Sequence, residues 1–331
     1  MQELRLNRHE AQYMYYINSL LKLDSNDKDV KLIYDIKFLT PFIGVLVASF
    51  LNSQGYHVIS EINDEGKQSA SYAKNNNFFH FAESDKNINN RNTEFSGSFT
   101  PIMKTPLDTY HRAEDNIVES VSKKISNVLS AGNDEVYRIL EYIISELFRN
   151  IPEHSQCFEG WHCSQQWVHD DYIEAEIALV DYGIGFKESL NFAGKFQASN
   201  DVEAIRLALE PGITAGIIDK SHLREGEKTE YLNSGYGLYA ITELCKALSG
   251  QYVIVSKGAI ATKKGIEYLK GNLVFPGTAI KIKLRIPNNL SYDTFHSTLQ
   301  KIIKKGEHSS KSIEGAINIA SPKSRSMGNY N

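Results

Sequence analysis

The sequence predicts an α/β protein built as two domains, and three observations predict it. At 331 residues the chain exceeds one ordinary core and matches two domains of roughly 100–200 residues. Strand-like and helix-like runs alternate in both halves. Between the halves, from Ser84 to Ser98, the chain turns polar and Asn-rich with almost no apolar anchors, which reads as an exposed loop or linker. Hydrophobic residues at 41% and charged residues at 23% are ordinary globular values, so wholesale disorder, collagen and coiled coil are excluded.

In the first domain, Leu4 to Leu23 reads as a helix, with Tyr13, Tyr16, Ile17, Leu20 and Leu21 at helical spacing and Asp24-Ser25-Asn26 closing it. Lys31 to Leu39 reads as a strand and its exit. Thr40-Pro41 follows, a helix N-cap and first-turn proline in the right order. The helix they open, Phe42 to Asn52, is apolar nearly all round and is therefore expected to be buried. Gly55 ends it, Tyr56 to Ser60 is the next strand, and Ser69 to Asn76 is a short helix leading into Phe78-Phe79.

Phe99 to Met103 reads as an edge strand, and His111 to Leu129 as an amphipathic helix. Ala131 to Asp134 separates it from a second helix, Glu135 to about His154. A loop from Ser155 to Asp170, a strand from Tyr172 to Val180 and a helix around Asp201 to Leu209 come next. A Gly-rich polar stretch, Pro211 to Ser234, precedes a helix from Tyr236 to Leu248. Strands Gln251–Ser256 and Thr278–Ile286 and a short helix near Phe295–Lys304 complete the pattern. The polar tail, Lys305 to Asn331, is expected to be mobile. The division is 1–83, a connecting span 84–130, a second domain 131–290, and 291–331.

Charge and motif exclude several functions. Lys and Arg number 36 against 40 Asp and Glu, so the net charge of −4 supplies no field for general nucleic-acid or anionic-membrane binding. No run of 18 apolar residues spans a bilayer, and the first residues lack a leader's apolar stretch. Three cysteines fit a reducing compartment, and a cytoplasmic location is expected. No Gly-x-x-x-x-Gly-Lys-Ser/Thr occurs, which argues against a P-loop. His154, Cys157, His162, Cys163 and His169 crowd together without the paired spacing of a structural zinc site, and read as a polar loop.

Three clusters carry chemistry. Glu146 and Asn150 lie four apart and share a helix face, with Glu153 and His154 a turn later; Ile139, Ile143, Leu147 and Ile151 form an apolar stripe behind them. An Asn oxygen suits a hard cation and a Glu can deprotonate a nucleophile, although a solvated helix face has the same pattern. Asp181-Tyr-Gly183-Ile-Gly185 ends a strand with an acceptor carboxylate and two glycines that allow close approach to a planar ligand; an ordinary strand-end turn is the alternative. Ser234-Gly235-Tyr-Gly237-Leu238 opens a helix, where free N–H groups favour anions.

In this order and spacing, the clusters resemble the N, G1 and G2 boxes of the GHKL ATPase superfamily. Phe275-Pro-Gly277-Thr278 and its alternating strand resemble the group's closing Gly-Thr strand. The resemblance covers roughly residues 130–290. It implies an α/β sandwich of the GHKL (Bergerat) type, with helices on one face of a mixed sheet, binding ATP and Mg²⁺. It further implies that Asn150 holds Mg²⁺, Asp181 binds the adenine amino group, and Gly183 and Gly185 admit the base. Gly235 and Gly237 contact phosphates beside Leu238, Thr278 lies near the adenine, Glu146 is the general base, and Pro211–Ser234 is the ATP lid. Pro152 departs from the pattern and is expected to kink or end its helix.

The first domain, through Leu32 to Gly44 and Ser71 to Phe79, is similar to STAS-like domains, the partners that anti-sigma serine kinases phosphorylate. Thr40 is the hydroxyl at the corresponding helix start, and reads better as a structural N-cap. The function implied is Mg²⁺-dependent ATP binding with slow hydrolysis or Ser/Thr phosphoryl transfer used as a regulatory switch. The alternative is a non-catalytic, nucleotide-gated interaction module. A clamp-type ATPase fits less well with the acidic balance and the lack of a long C-terminal transducer. A regulatory protein partner and a homodimer are the associations implied.

Overall fold

A computed structural model of the chain describes residues 1–9, 12–83, 95, 97–107, 117–192, 194–216 and 234–325. The linker reading for Ser84–Ser98, His111 and the start of its helix, most of the stretch placed as a lid, and the last six residues of the tail lie outside the described residues, save 95, 97 and 98 and the ends of the lid stretch.

The α/β class holds, with two sheets of different kinds. Strands β1 (Gln2–Leu6), β2 (Asp29–Tyr34) and β3 (His57–Ile62) form a parallel sheet in that order, joined through helices α1 (Tyr13–Leu21) and α2 (Pro41–Ser53). The single helix expected from Leu4 to Leu23 is instead a strand and a shorter helix. Leu4 and Leu6 are buried and Arg5 exposed, a period of two that pairs with β2 rather than a helical period. Helices α3 (Lys67–Asn75) and α4 (Phe78–Ala82) follow β3.

The second sheet has seven strands in the order β4-β5-β6-β10-β7-β8-β9. They are β4 (Phe99–Pro106), β5 (Glu159–Val168), β6 (Tyr172–Asp181), β7 (Gln251–Ser256), β8 (Ala259–Thr262), β9 (Gly265–Tyr268) and β10 (Thr278–Pro287). Every neighbouring pair is antiparallel, so the sheet is not mixed as expected. Strand β4 is an edge, as its sequence predicts. Strand β5 replaces the loop expected at Ser155–Asp170. Its His162, Ser164 and Gln165 are polar but buried and bonded, so no apolar alternation marks the strand.

Both faces of this sheet are covered, not one. Ile173, Ala175, Ile177 and Leu179 of β6 and Ile280, Ile282, Leu284 and Ile286 of β10 pack beneath α5 (Ile117–Leu129), α6 (Asp134–Asn150), α9 (Gly237–Ala247) and α10 (Tyr292–Ser310). The alternate residues, Ala178, Val180 and Ala279 with Trp161 and Val255, share one core with α2, β1 and β2. Helix α2 is therefore buried between two sheets, which is why it is apolar all round. Glu176 of β6, fully buried, accepts the Phe42 N–H at the start of α2 (3.1 Å) and pairs with Lys281 of β10 (3.2 Å). Thr40 occupies the N-cap position but its hydroxyl makes no capping bond; the Glu176 carboxylate meets the helix end instead.

Helices α7 (Gly185–Phe192) and α8 (Asp201–Ala208) flank the sheet's helical side. The tail is not loose over its described length. Helix α10 runs on to Ser310, Ile317 pairs with Gly212 (2.8 Å), and a last turn, α11 (Pro322–Arg325), follows. Tyr142 and Tyr236 donate their hydroxyls to the Ser324 and Ile317 carbonyls (3.1 and 2.9 Å). These buried tyrosine partners order a segment whose own composition is polar. Among the described residues no helix is long and apolar enough to cross a membrane.

Candidate functional site

The cleft lies over the C-terminal end of β6, between the sheet and α6. Helix α6 starts at a side-chain cap: Asn133 accepts from the Glu135 and Val136 N–H groups (3.0 and 3.1 Å). Its stripe of Ile139, Ile143 and Leu147 is buried, and Glu146 and Asn150 face the cleft. Glu146 is only 6% exposed, so this is not a solvated face. Arg149, three residues on, pairs with the Glu146 carboxylate inside the same cleft.

The regular helix ends at Asn150. Pro152 has no N–H for the next α-helical bond, and the chain widens into a π-helical turn, Ile151–Ser155. That turn carries Glu153, His154 and Ser155 into the cleft wall. Burial holds the His154 imidazole below its ordinary pKa against the opposing pull of Glu153 and the Gly216 carbonyl, favouring the neutral ring.

The strand-end loop packs directly on this turn. Ile184 donates to the Ser155 carbonyl (2.9 Å), and a β-carbon at Gly183 would collide with that same oxygen. Gly183 is thus required by close backbone approach. The pleat of β6 sends Asp181 to the same side as Leu179, into the cleft, opposite Thr278 on β10. Burial raises the Asp181 pKa to about 6, opposed by the Gly183 N–H (2.9 Å), the Lys257 charge and the Thr278 hydroxyl. Lys257 also donates to the Gly183 carbonyl (3.0 Å). Gly185 opens α7 at the cleft edge.

The third cluster closes the site from the opposite side. Gly235 has φ +70° and a β-carbon there would strike the Ile213 carbonyl. Gly237 is the first residue of α9, and a β-carbon on it would strike the Glu146 carboxylate. Leu238 lines the cleft next to them.

The cleft is a hollow partly open to solvent, with a cavity volume of about 80 Å³. Of the nine residues singled out in the sequence, Glu146, Asn150, Asp181, Gly185, Gly235, Gly237, Leu238 and Thr278 line it. Gly183 does not line it; it holds the Asp181 carboxylate through its N–H. Sequence reasoning missed Arg149, whose signal was its i,i+3 spacing from Glu146, and Lys257, for which there was no local signal. It also missed Ser324, which the ordered tail brings to the wall.

Of the five residues considered for zinc, His154 lines the cleft and Cys157 meets the Glu159 carbonyl (3.4 Å). His162 bonds Thr105 (2.9 Å), Cys163 meets the Thr100 carbonyl (3.4 Å), and His169 stacks on Tyr172. No family model matches the sequence, and no curated protein or solved structure matches it.

Proposed function

We propose that this cleft binds ATP with Mg²⁺ in the manner of the GHKL group, and that slow hydrolysis or Ser/Thr phosphoryl transfer acts as a regulatory switch. The observation that carries the reading is convergence. Residues chosen for their chemistry, from Glu146 to Thr278 along the chain, line a single cleft built by α6, the end of β6, α9 and β10.

The residues present fit such a ligand. Asp181 offers a buried acceptor for an exocyclic amine, on the end of a rigid strand with Thr278 beside it. Glycine at 183, 235 and 237 lets the strand-end loop and the start of α9 pack directly on Ser155, Ile213 and Glu146 around the cleft. The α9 N-terminus supplies amides for phosphate, and the Asn150 side-chain oxygen would hold Mg²⁺. Bound Mg²⁺ would neutralise charge on the phosphate oxygens. Glu146, set against Gly237, would take the proton of an attacking water or hydroxyl once Arg149 no longer covers its carboxylate.

The Arg149–Glu146 pair favours a second reading, a nucleotide-gated interaction module without useful turnover, because it neutralises the carboxylate placed against α9. A regulatory protein partner or a homodimer would read the bound state in either case. Thr40 is 0% exposed, so phosphorylation there forms no part of the proposal. Incubation with γ-labelled ATP and Mg²⁺ separates the readings. Label on this chain or released as phosphate supports the enzyme; saturable binding with no transfer supports the module; no binding rejects both.

A further inference from the structure

The residue between the site's Asp181 and Gly183 points the other way. Tyr182 follows β6 by one position, and the pleat that sends Asp181 into the cleft sends Tyr182 into the opposite face, against α2. There its hydroxyl hydrogen-bonds the Ser49 hydroxyl in the C-terminal half of α2 (2.8 Å), and Ser53, the last residue of that helix, also reaches it. Its ring lies 5.9 Å from that of Phe275, at an interplanar angle of 32°, and Phe275 in turn lies 6.3 Å from Phe50 of α2. At the other end of the helix, Glu176 of the same strand meets the Phe42 N–H (3.1 Å). Helix α2 is bolted to β6 at both ends, and the second bolt is the neighbour of the candidate base-reading carboxylate.

From this geometry we infer that Tyr182, held by Ser49 on α2, is a positioning residue for Asp181, so that the first α/β unit sets the purine specificity of the cleft. The inference rests on the ATP reading above. The peptide joining Asp181 to Tyr182 is packed against the Gly277 backbone, so close that a β-carbon there would strike the Asp181 carbonyl. Displacement of Tyr182 from Ser49 would pass through this shared peptide and turn the Asp181 carboxylate out of line with an amine in the cleft. A hydrogen bond to a charged acceptor is strongly directional, so a small rotation removes discrimination before it removes binding.

The test compares full-length protein binding ATP and purine riboside triphosphate, which lacks the 6-amino group, by calorimetry with melting temperatures alongside. The wild type should prefer ATP by about tenfold or more. Tyr182→Phe, which removes only the hydroxyl, should bring that ratio to within about twofold of unity, and Ser49→Ala/Ser53→Ala should move it the same way. Retention of the wild-type ratio by both variants overturns the inference, including the case where both ligands weaken equally and the melting temperature drops, which is a purely structural role. Should Tyr182→Phe fail to fold, the serine variant decides alone. A wild type that binds neither nucleotide, or shows no preference, rejects the ATP reading itself and this inference with it.

Discussion

The carboxylate of Glu146 occupies the place where a side chain on Gly237 would begin, so any larger residue at the start of α9 requires that carboxylate to shift. Two segments some ninety residues apart thereby meet inside the cleft. Gly237→Ala forces either the carboxylate or the helix to move. Overpacking of this kind costs about 1–3 kcal/mol. The expected outcome is a measurable loss of stability in urea unfolding and nucleotide affinity weakened at least tenfold by calorimetry. An unchanged affinity would detach α9 from the site.

Arg149 and Glu146 have side chains only 14% and 7% exposed, so their pair is close to a buried one. Arg149→Met leaves the carboxylate without this counter-charge and should cost about 3–5 kcal/mol, while the double variant Glu146→Leu/Arg149→Met should recover much of that loss. Denaturant titration of the four proteins measures the coupling. Additive losses would show that the pair contributes nothing.

Asp181 supplies a pH dependence with a definite sign. Its pKa in the folded chain is about 6 against an ordinary 3.8, so the native state keeps a proton that the unfolded chain releases. The resulting stabilisation is complete below the lower value and is lost as pH rises through the upper one. At neutral pH the buried carboxylate therefore opposes folding. Asp181→Asn should be more stable than wild type at pH 7 by on the order of 1–3 kcal/mol, with the difference closing toward pH 4. Urea midpoints at the two pH values check this; a variant less stable at pH 7 contradicts it.

Glu176 and Lys281 form the charged junction between α2 and the large sheet, at 0% and 6% exposure of their side chains. Glu176→Gln keeps an acceptor for the Phe42 N–H but leaves Lys281 without its carboxylate. A loss of about 3–5 kcal/mol is expected, against a smaller one for Glu176→Gln/Lys281→Met. Thermal unfolding of both variants distinguishes this from a dispensable pair, which would show no difference.

The lining of the cleft was more legible than the frame around it. Asp181, its glycines and Gly235-Tyr-Gly237 are local in sequence, and their chemistry is carried by residue type at short spacing. The all-round apolar character of α2 declared a buried helix, but not that its second cover is the other unit's sheet. That contact is made by Ala178, Val180 and Ala279, ordinary strand residues with no distinguishing mark. Strand β5 was hidden because His162, Ser164 and Gln165 are buried through hydrogen bonds rather than hydrophobicity. The tail looked mobile because its anchors, Tyr142, Tyr236 and Gly212, belong to segments about 80 to 180 residues earlier. Side chains whose partners are that distant leave no periodic trace.

The central claim is that the cleft reads an adenine nucleotide through Asp181. Calorimetric titration of the wild type and Asp181→Asn with ATP, with and without Mg²⁺, tests it most directly. The account predicts saturable, Mg²⁺-strengthened binding at one site in the wild type and loss of binding in a variant that remains folded. Wild-type affinity in Asp181→Asn, or no binding by the wild type at millimolar ATP, would contradict it.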